Sequence, residues 1–211
     1  MSAALLMLGL PRLVGAVATL PFEPQVEALK SGRDLTRSEL SRLDSRWSIA
    51  RRFTSSGEIS AELAAIKMAS ADQLPERATT ERRDLIGSAA ELLRESLSEG
   101  PANAFAWARY AAALSEEGRP EAIDAWRMSV LTSPADRRLL LWRSQFALAR
   151  VAQLAQIDRD LLDSQIRLAW RHDRDALLRF ARRAKPAAVQ ILRAALVQRP
   201  EDAASFEQAL R

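Results

Sequence analysis

Residues 104–134 run AFAWARYAAALSEEGRPEAIDAWRMSVLTSP. In the second half of this stretch Ala122, Trp126, Ser129 and Pro134 stand at offsets 0, 4, 7 and 12. The same offsets are filled upstream by Ala89, Leu93, Ser96 and Pro101, and downstream by Ala188, Leu192, Ala195 and Pro200. The three prolines are 33 and 66 residues apart, which leaves room for one degenerate copy between the last two. Offsets 0, 4 and 7 share one helical face. A small residue at offset 0 admits a close partner helix, the large apolar residue at offset 4 fills the gap, and offset 7 is small again. Proline then stops the helix and presets φ for the next one. A helix pair of this kind cannot bury its apolar face alone and must stack on a neighbour.

The stretch resembles the tetratricopeptide-repeat family. Trp107 stands at the family's Trp position, Tyr110 and Ala111 at its Leu–Gly/Ala pair, and Leu114 at the next large position. Ala122, Trp126, Ser129 and Pro134 match the second-helix signature, with a loop one residue short around Gly118–Pro120. The likeness is good over this unit, partial over 78–101 and weak over 136–211, and it does not reach the first 75 residues. It implies an all-α chain of antiparallel helix pairs stacked as a short solenoid, with a concave groove that receives peptides or partner proteins. Taken whole, the chain also resembles small, N-terminally anchored repeat-type proteins of GC-rich Gram-negative bacteria, some associated with envelope polysaccharide machinery. Its basic residues fit that source, since 28 of 31 are arginine.

Outward from this unit the chain reads as helical. It carries no sustained period-two alternation and no Asn-Gly or Asp-Gly hairpin signal. EPQVEALKSG predicts a short helix closed by Gly32. Thr36 followed by Glu39 is a capping box, opening a helix through about Phe53 with Leu40, Leu43, Trp47 and Ala50 inward. Ser56 is expected to cap the next helix, on which Ile59, Leu63, Ile66 and Lys67 mark the rows. SADQLPERATTE, residues 70–81, reads as a linker, after which Thr80 caps a helix ending at Gly100.

Residues 2–20, SAALLMLGLPRLVGAVATL, contain no acid and one base. Extended through Phe22 the segment would reach roughly 30 Å as a helix, enough to cross a bilayer. Pro11 interrupts its hydrogen-bond ladder, and Arg12 near the centre costs about 2.5–3.5 kcal/mol on insertion scales. Three readings compete: a membrane anchor, a cleaved signal peptide, and an amphipathic helix lying on a surface or buried in the fold. The absence of positive residues before the apolar core speaks against the signal peptide. The anchor is favoured because Gly9, Arg12 and Ala16, with Ser2, Gly15 and Thr19, fall near one face where another helix could approach closely. The expected organisation is an anchor helix over 1–22, a helical segment over 23–75, and a tetratricopeptide-like domain over 76–211. The expected location is a bacterial inner membrane, with the side of the body open.

Composition narrows the chemistry. The 211 residues are 48% hydrophobic and 27% charged, so the chain carries a real core. It has no Cys and one His, which excludes disulfide frameworks, zinc–thiolate sites and thiol nucleophiles. There is no Walker-type glycine loop, no GxGxxG after a strand and no GxSxG elbow. His172 has no nucleophile near it in sequence, and the pairs Glu116–Glu117 and Glu201–Asp202 read as helix-end charges. No catalytic, cofactor or metal site is therefore expected. The net charge of +4 is unevenly spread, because residues 137–199 hold fourteen bases against five acids. Arg167, Arg171 and Arg174 sit at i, i+4 and i+7, a face suited to an acidic partner or a phosphate-rich ligand. Trp170 and Phe180 are expected in the core rather than as stacking platforms for nucleic acid. The partner-binding candidates are Arg109, Arg167, Arg171 and Arg174.

These observations lead to one functional expectation: a non-catalytic, membrane-anchored scaffold that binds a membrane-associated protein, without specific nucleic acid or a small-molecule ligand. The alternatives are a structural accessory subunit of a larger inner-membrane complex and an anion- or nucleic-acid-binding helical protein.

Overall fold

The thirty-three-residue register of the prolines is built into helix ends. In a computed structural model, residues 20–30, 33–54 and 56–210 are described. They form eleven α-helices: α1 (Glu23–Lys30), α2 (Arg37–Phe53), α3 (Gly57–Asp72), α4 (Thr79–Glu99), α5 (Ala104–Glu116), α6 (Ala122–Thr132), α7 (Arg137–Leu148), α8 (Gln156–His172), α9 (Arg174–Ala181), α10 (Pro186–Leu196) and α11 (Pro200–Leu210). No strand occurs among the described residues. Pro101, Pro134 and Pro200 each follow the end of a helix and precede or open the next. Leu93, Trp126 and Leu192, the large residues at offset 4, are all fully buried, as are the small residues Ala89, Ser129 and Ala195 beside them. The remaining position of the register is not a helix end. Thirty-three residues after Pro134 stands Arg167, and α8 runs straight through it.

The chain divides into two compact units, one up to Ala122 and the other from Ile123. That division falls after the first residue of α6, whereas the expected boundary lies near residue 75. Residues 73–78 form only a short turn, in which the Ala78 N–H donates to the Pro75 carbonyl at 2.8 Å. The two helices on either side of it, α3 and α4, are the most extensively packed pair of the first unit.

In the first unit, α2 packs on α3, α3 on α4 and α4 on α5, while α3 also meets α1 and α5. Contacts between chain neighbours and next-but-one neighbours are what stacked helix pairs produce. Helix α2 begins as expected: the Glu39 N–H donates to Thr36 Oγ1 at 3.3 Å, and the Thr36 N–H donates to Glu39 Oε2 at 2.7 Å. Leu40, Leu43, Trp47 and Ala50 form its buried seam. The seams of α3 and α4 are lined by Ala61, Ala64, Ala65, Ala89 and Ala90, small enough to bring the axes together.

Two expected caps differ. Thr80 lies inside α4, whose cap position is Ala78, because the Pro75 turn starts the helix earlier. Ser56 occupies the cap position of α3 but makes no side-chain bond there. The Gly57 N–H is taken instead by Glu99 Oε2, 2.7 Å away at the end of α4.

In the second unit α8 is the central element, contacting α7, α9 and α10, while α11 closes against α9 and α10. Trp170 and Phe206 pack edge-to-face with centroids 5.5 Å apart, and the Trp170 Nε1–H donates to Asp202 Oδ1 at 3.0 Å. Trp170 is buried as expected, whereas Phe180 is half-buried.

Of the expected N-terminal hydrophobic helix, only Leu20–Phe22 is described, as one 3₁₀ turn. The packing residues Gly9, Arg12 and Ala16 lie outside the described residues, as does Gly32. Among the described residues, no helix is long and apolar enough to cross a membrane.

Candidate functional site

The stacking of α2, α3 and α4 leaves a polar groove of about 630 Å³. Ser48 and Arg51 enter it from α2, Lys67 from α3, and Glu91, Arg94 and Glu95 from α4. Each position follows from helix periodicity, because Arg51 and Ser48 flank the buried Trp47–Ala50 seam, and Glu91, Arg94 and Glu95 flank Leu92 and Leu93. The charges are paired along it. Arg51 meets Glu95 at 2.5 Å, Lys67 meets Asp44 at 3.0 Å, and Arg94 meets Glu91 at 2.8 Å. An exposed surface with interleaved signs offers both donors and acceptors to a peptide or helix, and holds no single charge that would select an anion.

A second cavity of about 560 Å³ lies between α1, α2 and α3, with Glu23, Glu27, Glu58 and Glu62 around Trp47 and Ile59. Trp47 itself is buried, and its Nε1–H donates to Glu62 Oε2 at 2.9 Å. Among the described residues no cluster of carboxylates and His could hold a metal ion.

The residues singled out from sequence fall in different environments. Arg109 is half-buried on α5; burial pushes its guanidinium below the ordinary arginine value, and the charge of Glu62 opposes that shift. Arg167 is half-buried and its Nη1 points to the Ala195 carbonyl at 3.4 Å, at the C-terminal end of α10. Cations there meet the negative end of the helix. Arg174 stacks on Trp170 with its guanidinium carbon 4.4 Å from the ring centroid. Arg171 is exposed. The three arginines are close in sequence, yet one holds a helix end, one stacks on an indole, and one reaches solvent. His172 is exposed at the end of α8, Glu116 pairs with Arg82 at 2.9 Å, and Asp202 accepts from Trp170.

Other members of the basic stretch are used inside the fold. Arg143 has no exposed surface. Its Nε donates to Ser129 Oγ at 3.1 Å, and its Nη1 donates to the Ser133 carbonyl at 2.8 Å. Its Nη2 donates to the Ser129 carbonyl. The side chain thus adds charged donors to carbonyls in and just past the last turn of α6, which the Thr132 hydroxyl and the Asp136 N–H also reach, at 3.2 and 3.4 Å. Burial pushes its guanidinium down to about 10, against a smaller opposing pull from Asp136. The network continues from Gln165 Nε2 to the Pro134 carbonyl at 2.9 Å, so two residues of the repeat signature, Ser129 and Pro134, are bound by it. Asp158, also buried, takes a fork from Arg127: Nε to Oδ1 at 2.6 Å and Nη2 to Oδ2 at 3.0 Å. Sequence spacing carried no sign of either arrangement, since the partners are 10 to 31 residues apart.

No protein-family model matches the chain, and no curated protein matches it significantly.

Proposed function

We propose that this chain is a non-catalytic helical-repeat scaffold of a bacterial envelope, held at the inner membrane by its N-terminal apolar segment and binding a membrane-associated protein. The observation that carries this reading is the groove across α2, α3 and α4, open and lined by paired charges of both signs. A helix or extended peptide with interleaved acidic and basic residues can exchange partners with Arg51, Arg94, Glu91 and Glu95 without leaving a buried charge unpaired. The tetratricopeptide resemblance adds the expectation of groove binding, and the separate resemblance to small anchored repeat-type proteins, some associated with envelope polysaccharide machinery, names the setting in which a partner is to be sought.

Ser88 lies exposed on α4 and borders the groove. Ser88→Trp fills space there without changing charge or core. The full chain carrying it should recover far less of its partner from detergent-solubilised native membranes, at unchanged thermal stability. Equal recovery by variant and parent would overturn the groove assignment. Stoichiometric co-purification that survives high salt would instead favour a structural subunit.

A further inference from the structure

Helix α2 buries Leu40, Leu43, Trp47 and Ala50 and turns its other side outward. That outward side is made of Ser38, Ser41, Arg42, Ser45, Arg46, Ile49, Arg52 and Phe53, every one exposed. It contains three arginines and no acid. The two carboxylates of α2 are engaged elsewhere, Glu39 in the capping box and Asp44 with Lys67. Ile49 and Phe53, one helical turn apart, are 40% and 47% exposed although large and apolar. The face also adjoins the point where residues 2–20 join the fold. Phe22 packs half-buried on the first unit's core, and the Arg46 guanidinium lies over its ring, 5.6 Å from the centroid.

We propose that this face of α2 rests on an anionic bilayer, with Ile49 and Phe53 entering the boundary between headgroups and acyl chains and Arg42, Arg46 and Arg52 on lipid phosphates. The proposal extends the anchor reading of the N-terminal segment, which would deliver Phe22 and Arg46 to the membrane surface, while the contact itself is made by this face of α2. A helix with an apolar pair flanked by cations and small polar residues is the composition of an interfacial element. Long arginine side chains reach phosphate while their stems lie along the apolar residues. A stable protein interface needs on the order of 800 Å² from each partner, and two apolar side chains flanked along α2 by arginines and serines supply little of the mixed pairing such an interface uses. Each arginine near an anionic surface strengthens binding roughly five-fold, and salt weakens that attraction.

The chain has no Cys, so a single one reports its own position. Ile49→Cys, Phe53→Cys and, as a control away from this face, Thr80→Cys are made in the full chain and carry an environment-sensitive fluorophore. Each is mixed with vesicles of phosphatidylcholine alone or with phosphatidylglycerol added, and flotation is followed together with emission. The expected result is flotation with both vesicles, and a shift to apolar emission at 49 and 53 only with phosphatidylglycerol. Adding Arg42→Glu, Arg46→Glu and Arg52→Glu should cut the shifted fraction roughly a hundred-fold while flotation persists. Flotation with aqueous emission at 49 and 53 overturns the proposal and leaves the anchor reading standing. Flotation only with phosphatidylglycerol, stripped by high salt but with both labels shifted, upholds the proposal and removes the anchor. Apolar emission without vesicles means that protein covers the face, and no flotation at all removes both; either overturns the proposal.

Discussion

The backbone N–H of Gly57, which opens α3, donates to the carboxylate of Glu99, the last residue of α4, at 2.7 Å. The two helices therefore close on each other end to end, and the glycine is what permits it. A Cβ at position 57 would meet the Ser96 carbonyl oxygen at 3.0 Å and Glu99 Cβ at 3.3 Å. Gly57→Ala should destabilise the chain by about 1–2 kcal/mol despite the better helix propensity of Ala. Gly87, inside α4, is the control, because a Cβ there meets only a Glu117 side-chain oxygen at 3.4 Å. Gly87→Ala should stabilise by about 0.5–1 kcal/mol. Urea midpoints for the two variants should move in opposite directions; movement in the same direction would contradict the packing described for α3 and α4.

Arg143→Met keeps the length of the side chain and removes every donor. The carbonyls of Ser129 and Ser133 then lose a charged donor and keep only the Thr132 hydroxyl at 3.2 Å and the Asp136 N–H at 3.4 Å, at a cost of about 1.5–3 kcal/mol. The arginine is charged in folded and unfolded chains at neutral pH, so the loss should be the same at pH 6 and pH 8. Chemical denaturation of parent and variant at both pH values measures it; a change under about 0.5 kcal/mol would remove the structural role assigned to this network.

Hydrogen bonds from Thr36 hold the Glu39 carboxyl below its ordinary value, and Arg138 does the same for Asp136. Groups lowered by folding stabilise above their unfolded pKa, and that contribution is lost as pH falls through the folded value. Stability should therefore decline below about pH 4. Thr36→Ala should cost about 1 kcal/mol at pH 7. Glu39→Gln should flatten the acid limb of the stability curve. An unchanged acid limb would contradict the capping box.

Arg167 and Arg171 are one turn apart but are predicted to respond differently. Arg167→Glu places a carboxylate beside the Ala195 carbonyl and the negative end of α10, and should destabilise by about 1 kcal/mol. Arg171→Glu changes an exposed side chain and should leave the thermal midpoint within error. Calorimetry of the two variants checks this. Equal stability for both would return Arg167 to the solvent-facing surface expected from sequence.

What could be read in advance was local or periodic. The Thr36–Glu39 box is a contact across three residues, so its helix and its four buried positions could be placed from sequence alone. The proline register could be placed because each copy repeats one helix end. What could not be read was made by residues distant in the chain. Glu99 replaces Ser56 as the acceptor for α3 from 42 positions away. Arg143 looks like one more surface base until Ser129, Ser133 and Gln165 close around it. Arg167 and Arg174 share a helical spacing with Arg171, but α10 and the Trp170 ring divert them from the common face.

Crosslinking mass spectrometry of the full chain in native membranes tests the scaffold reading most directly. Lys67, which lines the α2–α4 groove, should crosslink to one recurring membrane-associated protein, and those crosslinks should be lost in the Ser88→Trp variant. Crosslinks that stay within the chain, or that reach a partner while sparing the groove and surviving Ser88→Trp, would contradict it.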